Sequence, residues 1–564
     1  MENSSLFIIL QRMRKPFLVI LISYTIAIIG LLIIDGVDNN GNPYKMTIFD
    51  SFYFISYTAS TIGFGETPYE FTYPQRLWVS FSIYLTVIAW FYGIGTLVSL
   101  LQDKVFLREM ERAKFRRKIK SFKQKFIIVL GYDQTSSKII KKVMRHGIRT
   151  VVIEKNETNA NELILENFTP SVPVLISDSY NPKVLEEAGI KKFNCKALVS
   201  IFEDDSLNLR TSLTSKLLNP HIKLAVKSTT SNQTENLKDL DVEIVANPFS
   251  IISNEVSMAL NAPNLFKLEK WIYQIDDLNA SLPSFPNGKY IICGYGRMGK
   301  EIHKVLEQKH IEAVFVEIDE KKVNNFNVNK YMKIAYGNAD DKELLQSVGI
   351  KNAVAIICST NDDTTNLSIL ATAKKLNPNI MTIARENEMD DLSIFESAKI
   401  DHILMPSKIL INKITNALIH PLADEFIKQM SKKDDIWGLK LVKKLLQEID
   451  ENPLLYNLKI NEKKAPQIYS HIDKGENVKL NVLCKSLYNR DQNNNVVPLL
   501  LKKDSGETIL LPNFDISIEK KDEILFACDE NAKNDMEYIA LNPYEFHYAH
   551  KGEEKETILK GIFK

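Results

Sequence analysis

The sequence predicts an α-helical membrane segment, two α/β domains built on parallel sheets, and a small α+β domain near the C-terminal end. Three observations predict it. Residues 1–101 hold almost all the long apolar runs. The chain beyond them holds two copies of one unit, in which short β-branched runs alternate with helical stretches. After about residue 433 the pattern changes to shorter strands. At 564 residues the chain exceeds what one hydrophobic core can organise. Its 71 basic and 70 acidic residues nearly cancel, which excludes a polyanion-binding protein as a whole and gives no nucleic-acid partner. The five cysteines (Cys195, Cys293, Cys358, Cys484, Cys528) have no metal-ligand spacing and read as buried thiols of a reducing compartment.

The first span is Phe17 to Ile34, an apolar stretch of 18 residues that reaches roughly 27 Å as a helix, enough to cross a bilayer core. Arg12, Arg14 and Lys15 precede it and place the N-terminus in the cytoplasm. A secretory signal is the alternative, but the run is longer than a usual signal core and no small-x-small site follows. The second span is Leu77 to Leu101. The basic residues between Lys104 and Lys125 put its end in the cytoplasm too, so the expected topology is a multi-pass protein of the cell (cytoplasmic) membrane with both termini inside.

The connection between the spans carries its own signal. Thr47 to Thr58 is apolar and aromatic but too short to cross, and fits a half-crossing helix. Thr61, Ile62, Gly63, Phe64, Gly65 and Glu66 follow it. Non-helical backbone at membrane depth is tolerated only where it lines a cavity or is buried in protein. Glycines let such a strip turn successive carbonyls to one side, and four copies around an axis form oxygen rings that replace an ion's hydration shell. One chain supplies a quarter of each ring, so the mechanism requires a homotetramer. The order of span, pore helix, filter and span resembles the two-transmembrane potassium channels, whose filter commonly reads TVGYGD. Ile62, Phe64 and Glu66 depart from that form, and Glu66 bears on hydrogen bonding at the outer mouth. The resemblance implies K+ on the backbone carbonyls of Thr61, Ile62, Gly63 and Phe64. Within the second span, Gly93 and Gly95 resemble the gating hinge of ligand-gated members. Their other reading is that small residues permit close helix packing.

The repeat is visible in the sequence alone. Phe126–Gly131 matches Tyr290–Gly294, Val151–Glu154 matches Val314–Glu317, and Asp204-Asp205 with Asn208 matches Asp362-Asp363 with Asn366. Lys227 matches Arg385, and Pro248 matches Pro406. In the second copy a strand ends in Gly294-Tyr295-Gly296-Arg297-Met298-Gly299, a helix follows, and Glu317 closes the next strand. That is the dinucleotide fingerprint of a Rossmann-like fold in its required context: a tight turn, a backbone that can approach phosphate, close helix packing, and an acid for ribose hydroxyls. In the first copy only Gly131 of the glycines remains, and Asp133 sets a carboxylate where a phosphate would lie. Gly131, Glu154 and Asp178 therefore mark a weaker candidate site, or a purely structural one.

Both units resemble the RCK domains that regulate potassium conductance, related to the TrkA-N domains of the Trk and Ktr uptake systems. That resemblance implies a nucleotide site built from Gly294–Gly299, Glu317, Asn338, Asp340, Asp362 and Arg385. Its ligand would be NAD(H) or an adenine nucleotide. Some related channels sense Ca2+, for which Glu203, Asp204 and Asp205 are candidates; their other reading is a solvated helix N-terminus. Thr508–Pro512 and Asp522–Ala527 resemble a TrkA-C-like sensing domain.

The expected organisation is a pore domain at 1–103 (spans 17–34 and 77–101, pore helix and filter 47–66) and a basic linker at 104–124. The first RCK domain follows at 125–262, a connector at 263–287, the second RCK domain at 288–432, a TrkA-C-like domain at 433–530 and a tail at 531–564. The function expected is a ligand-gated, potassium-selective channel subunit in a lipid bilayer, not an enzyme. The alternatives are an inactive or non-selective membrane scaffold, and a membrane-tethered NAD-dependent oxidoreductase. The latter would need an acid–base residue near the hydride site, whereas His303 and His310 fall where surface positions are expected.

Overall fold

The computed structural model describes residues 4–281, 285–387, 392–489 and 492–555. Parts of the connector (282–284), the second repeat (388–391), the C-terminal domain (490–491) and the tail (556–564) lie outside the described residues. The chain forms two compact units, Met1–Phe122 and Lys123–Lys564.

In the first unit α1 (Ser4–Ile33) begins well before the apolar run and carries Arg12, Arg14 and Lys15. A two-stranded turn, β1 (Gly36–Val37) with β2 (Pro43–Tyr44), leads to α2 (Ile48–Ala59), and α3 (Tyr73–Leu101) and α4 (Lys104–Lys120) follow. Two helices, spanning Gln11–Ile33 and Tyr73–Leu101, are long and apolar enough to cross a membrane. Phe17, Leu21, Ile33, Leu77, Tyr84 and Ile88 point outward from them, the distribution expected of lipid-facing surfaces. Trp78 fixes how α1 and α3 pack, its Nε1–H donating to the Ala27 carbonyl at 3.0 Å. A Cβ at Gly30 would sit 2.0 Å from that indole, so only glycine admits it.

The expected basic linker is the helix α4. Asp103 caps it, accepting from the Val105 and Phe106 amides at 2.8 and 3.1 Å.

The second unit holds two six-stranded parallel sheets of identical topology. The first is β3 (Phe126–Leu130), β4 (Arg149–Glu154), β5 (Val174–Ile176), β6 (Cys195–Ser200), β7 (Lys223–Lys227) and β8 (Ile244–Ala246), in the order β5-β4-β3-β6-β7-β8. The second is β9 (Tyr290–Cys293), β10 (Ala313–Glu317), β11 (Met332–Tyr336), β12 (Ala355–Cys358), β13 (Met381–Arg385) and β14 (His402–Leu404), in the order β11-β10-β9-β12-β13-β14. β3, β9 and β12 are buried at every position, as helices on both faces of a parallel sheet require. The strand order reverses beside β3 and beside β9, and ligands of such sheets bind outside the carboxyl ends at that point.

The helices that close the two repeats are exchanged. Helix Pro248–Asn261 follows the first sheet, yet its Phe249, Ile252 and Val256 sit in the core of the second with Met298, Ile302 and Phe315. Helix Pro406–Ile419 follows the second sheet, yet its Leu410, Ile411 and Ile414 sit in the core of the first with Ile139, Ile140 and Val143.

The C-terminal domain has a four-stranded antiparallel sheet. It comprises β15 (Leu454–Lys459), β17 (Val496–Lys502), β18 (Thr508–Leu510) and β20 (Glu523–Cys528) in the order β15-β20-β17-β18, with β16 (Val478–Lys479) paired separately to β19 (Ser517–Ile518). Alternate residues of β20 serve two cores. Ile524, Phe526 and Cys528 face one cluster; Leu525 and Ala527 face another, with Leu265, Trp271, Phe426 and Leu445. The connector is therefore structured: its helix Pro263–Ile272 buries Trp271, whose indole N–H donates to the Pro453 carbonyl at 2.9 Å. The expected tail also differs. Residues 530–551 form two helices, Glu530–Leu541 and Pro543–Lys551, with Ala532, Met536, Ile539, Ala540 and Phe546 in the domain core. All five cysteines are free and buried.

Candidate functional site

At the end of β9, Gly294 turns the chain with φ +100°, and helix Arg297–Gln308 starts at once with Gly296 as its N-cap. No side chain caps that helix, so its first amides are left without a side-chain acceptor. The remaining glycines divide the work. A Cβ at Gly299 would lie 2.2 Å from the Gly294 carbonyl oxygen, so this position permits helix to pack on loop. A Cβ at Gly296 would meet nothing within 4 Å, so the space beside it is open to a ligand. Met298 turns into the core at 1% exposure, and only its backbone faces the loop.

Glu317 is buried at the end of β10. Its Oε2 accepts the Tyr295 N–H at 2.6 Å, its Oε1 the Asp319 N–H at 3.0 Å, and Lys322 Nζ stands 3.3 Å away. It ties the glycine loop to the strand end, and each oxygen keeps acceptor capacity for a hydroxyl. Asn338 Oδ1 accepts the Asp340 N–H at 3.1 Å, and Asp340 Oδ1 accepts the Ser368 hydroxyl at 2.6 Å, which joins two loops at the carboxyl end of the sheet. Asp362 caps helix Asp363–Leu376, accepting the Thr365 N–H at 2.7 Å.

Arg385 ends β13 and donates from Nη1 to Asn361 Oδ1 at 2.9 Å. Its guanidinium and that of Arg297 lie 5.2 and 4.6 Å from the centre of the Phe249 ring, which the exchanged helix brings from the other repeat. Burial, together with the charge of Arg297, lowers Arg385 to about 10. Phe249 gave no sequence signal. Asn361 precedes the repeated aspartate pair, so it was within reach of the sequence.

The first copy shows the same frame, closed. Glu154 Oε2 accepts the Tyr132 N–H at 2.6 Å and Oε1 the Asn156 N–H at 2.6 Å, the bonds Glu317 makes. Here, however, Asp133 fills the helix start. Its Oδ1 accepts the Ser136 N–H at 2.7 Å, and Ser136 Oγ accepts the Asp133 N–H at 2.7 Å. Phe202 covers Gly131, where a Cβ would come within 2.8 Å of the ring, and Asp178 is paired with Lys155 at 3.1 Å.

The three acids considered for calcium are each engaged separately. Glu203 pairs with Lys227, Asp204 caps its helix, and Asp205 accepts from the Thr229 amide and the Thr229 and Thr230 hydroxyls. Among the described residues no group of three or more His, Cys, Asp or Glu is arranged to hold a metal.

His303 is not at the surface, as the sequence suggested. It is 8% exposed, packed among Tyr295, Phe315 and Phe326, with Nδ1 2.8 Å from Tyr295 Oη. An i, i+4 position opposite two phenylalanines is a core position, which the polar side chain disguised.

In the membrane unit, α2 is held by a reciprocal cap: the Asp50 N–H donates to Thr47 Oγ1 and the Thr47 N–H to Asp50 Oδ2, each at 3.1 Å. The strip after α2 is pinned from behind. The Ile62 N–H donates to the Tyr57 carbonyl at 2.9 Å, and the Tyr57 hydroxyl donates to the Gly65 carbonyl at 2.6 Å. Thr61, Gly63 and Gly65 have φ of +62°, +65° and +97°. Ile62 and Phe64 are 60% and 67% exposed. Glu66 accepts the Phe71 N–H at 2.7 Å and a two-point contact from Arg76 at 2.9 and 3.0 Å, so its carboxylate is committed within the chain. α3 continues unbroken through Gly93 and Gly95. A Cβ at Gly93 would lie 2.8 Å from Ile20 Cδ1, the end of a flexible side chain, while one at Gly95 would meet nothing within 4 Å.

The TrkA-N domain model matches residues 127–248 and 290–406. The chain is 29% identical over 212 residues to Potassium channel protein 1 of Methanocaldococcus jannaschii, covering 37% of this chain and 61% of that one. It is 31% identical over 138 residues to a Trk system potassium uptake protein TrkA homolog of Pyrococcus horikoshii, covering 23% and 60%. The chain thus spans about three fifths of the length of these curated relatives. A solved structure, GsuK Channel, matches with TM-score 0.48 and 14% identity over 94% of this chain and 98% of that one.

Proposed function

Starting from residues 127–248 and 290–406 as TrkA-N domains, we propose that this membrane protein is one subunit of a homotetrameric, potassium-selective channel whose gate responds to a nucleotide in the second repeat. One observation carries the proposal. Positive φ recurs at Thr61, Gly63 and Gly65, every second residue, in a strip between two membrane-crossing helices. Alternating the hand of successive residues turns neighbouring carbonyls toward the same side, as an ion-coordinating strip needs. The exposure of Ile62 and Phe64 in one chain supports neighbours around an axis. Gly63 and Gly65 are the positions at which an alanine would be strained, and K+ would pass at the carbonyls of Thr61, Ile62, Gly63 and Phe64. Both termini are proposed to be cytoplasmic.

For the regulatory ligand, the uncapped start of helix Arg297–Gln308, the open side of Gly296, and Glu317 support an NAD(H) or adenine nucleotide. Arg297 and Arg385 face its phosphates. A ligand moves the gate only by its difference in affinity between gate states. The curated relatives reported above are a channel and a transport component, and His303 is buried among aromatic rings rather than presented to a hydride site, so neither supports an oxidoreductase.

The test is the reversal potential of the purified protein in a planar bilayer, with K+ on one side and Na+ on the other. A value near the potassium equilibrium potential, lost in Gly65→Ala while the oligomer persists, is expected. Equal permeability to both ions, or unchanged selectivity in Gly65→Ala, would remove the filter assignment.

A further inference from the structure

Beside the glycine loop, a groove of about 480 Å³ runs between helix Arg297–Gln308 and helix Glu320–Asn324, lined by Tyr295, Lys300, His303, Lys304, Glu307, Lys321, Lys322 and Asn325. Two lysines come from each wall. Lys300 and Lys304 are neighbours on one helix face, where like charges cost a few tenths of a kcal/mol, and Lys321 and Lys322 oppose them.

The carboxylates nearby do not neutralise all four. Glu301 pairs with Lys304 at 2.5 Å, and Glu317 and Asp319 pair with Lys322 at 3.3 and 3.9 Å. Among the described residues, Lys300 and Lys321 have no carboxylate within 4 Å, and they stand on opposite walls. Glu307, the one acid in the lining, accepts the Asn329 side-chain N–H at 2.7 Å. His303, more than nine-tenths buried in the floor, has an Nε2 without a hydrogen-bond partner, with Glu307 3.8 Å away. The other ring nitrogen, Nδ1, lies 2.8 Å from Tyr295 Oη, and in the tautomer in which that hydroxyl donates, Nε2 carries the ring proton.

We infer that this groove is a binding site for a phosphate-class oxyanion, bridged between Lys300 and Lys321. It is separate from the proposed nucleotide phosphates at Gly296, and it does not depend on that reading. Free pyrophosphate, and a phosphoryl group carried on a nucleotide, present the same chemistry to it.

The experiment uses the full-length protein in detergent without nucleotide, titrated with pyrophosphate by calorimetry at constant ionic strength. One site per chain is expected, weakened about tenfold or more in the pair Lys300→Ala with Lys321→Ala. Arginine at both positions should restore it. Pyrophosphate should also slow acetylation of Lys300 and Lys321, read by mass spectrometry. If NADPH loses affinity in the alanine pair while NADH does not, the phosphoryl group is nucleotide-borne; if neither changes, the free anion is the ligand. No binding by the natural sequence, undiminished binding in the alanine pair, or unaltered acetylation would each overturn the site.

Discussion

The Gly131 loop and the Gly294 loop stand at the same place in two copies of one sheet, and they differ in what covers the helix start. Asp133 and Ser136 fill it in the first copy; in the second, Gly296 leaves the amides open. The strand-end acids do not distinguish them, since Glu154 and Glu317 each accept a loop amide at 2.6 Å. A carboxylate in this position holds the loop whether or not a ligand comes. The difference resides in the loop glycines and in Phe202, which roofs Gly131.

The largest test of that contrast is Gly299→Ala. Its methyl carbon would lie 2.2 Å from the Gly294 oxygen, and a loss of about 3 kcal/mol in urea unfolding is expected. The Ser136 side chain at the matching position of the first copy is already part of the cap, so Ser136→Ala should cost only about 1 kcal/mol. Equal effects at the two positions would mean the loops pack alike.

Gly296→Ala comes next and separates ligand from fold. The methyl meets no neighbour, so stability should hold within about 0.5 kcal/mol, while nucleotide affinity measured by calorimetry should fall about tenfold or more.

The acids follow. Glu154→Ala and Glu317→Ala should each destabilise by about 1 to 3 kcal/mol through the lost loop bonds. Only Glu317→Ala should also weaken nucleotide binding, and equal affinity in that variant would displace the ligand from the site.

Asp133→Gly should cost only about 0.3 kcal/mol, since glycine is itself a tolerated cap, and leave one nucleotide per chain, because Phe202 still covers Gly131. Adding Phe202→Ala should raise the stoichiometry if cover alone closes the first copy.

The smallest effect concerns acid. His402 in β14 occupies the place of Ile244 in β8. Burial first, and Lys270 second, hold His402 down to about 4. A histidine whose folded value is depressed stabilises fully above its unfolded value near 6.5 and loses that contribution as pH falls toward 4. His402→Ile should therefore move the acid-unfolding midpoint to slightly lower pH, followed by circular dichroism.

The fold class was legible because period-2 and period-3.6 patterns and a duplicated glycine turn are local properties of the chain. The loop from Gly294 to Gly299 and the acid Glu317 were legible for the same reason. The destination of the exchanged helices was not. Leu410, Ile411 and Ile414 announce an apolar face, but nothing local says which sheet receives it, and so Phe249 stayed hidden from the site. Charged residues masked helix Glu530–Leu541, although Ala532, Met536, Ile539 and Ala540 keep helical spacing. His303 reads as a surface position in the sequence because its burial depends on Phe315 and Phe326, further along the chain.

The helix exchange sets a schedule for synthesis. As the first repeat leaves the ribosome, helix Gln134–Arg145 can pack on its own strands, but the share of its cover that Leu410, Ile411 and Ile414 supply is missing until Pro406–Ile419 has been made. Helix Pro248–Asn261 must likewise wait for the strands that receive it. Neither repeat can finish alone, so a truncation between them should yield an aggregation-prone half rather than a domain. The two repeats are one folding unit written as two.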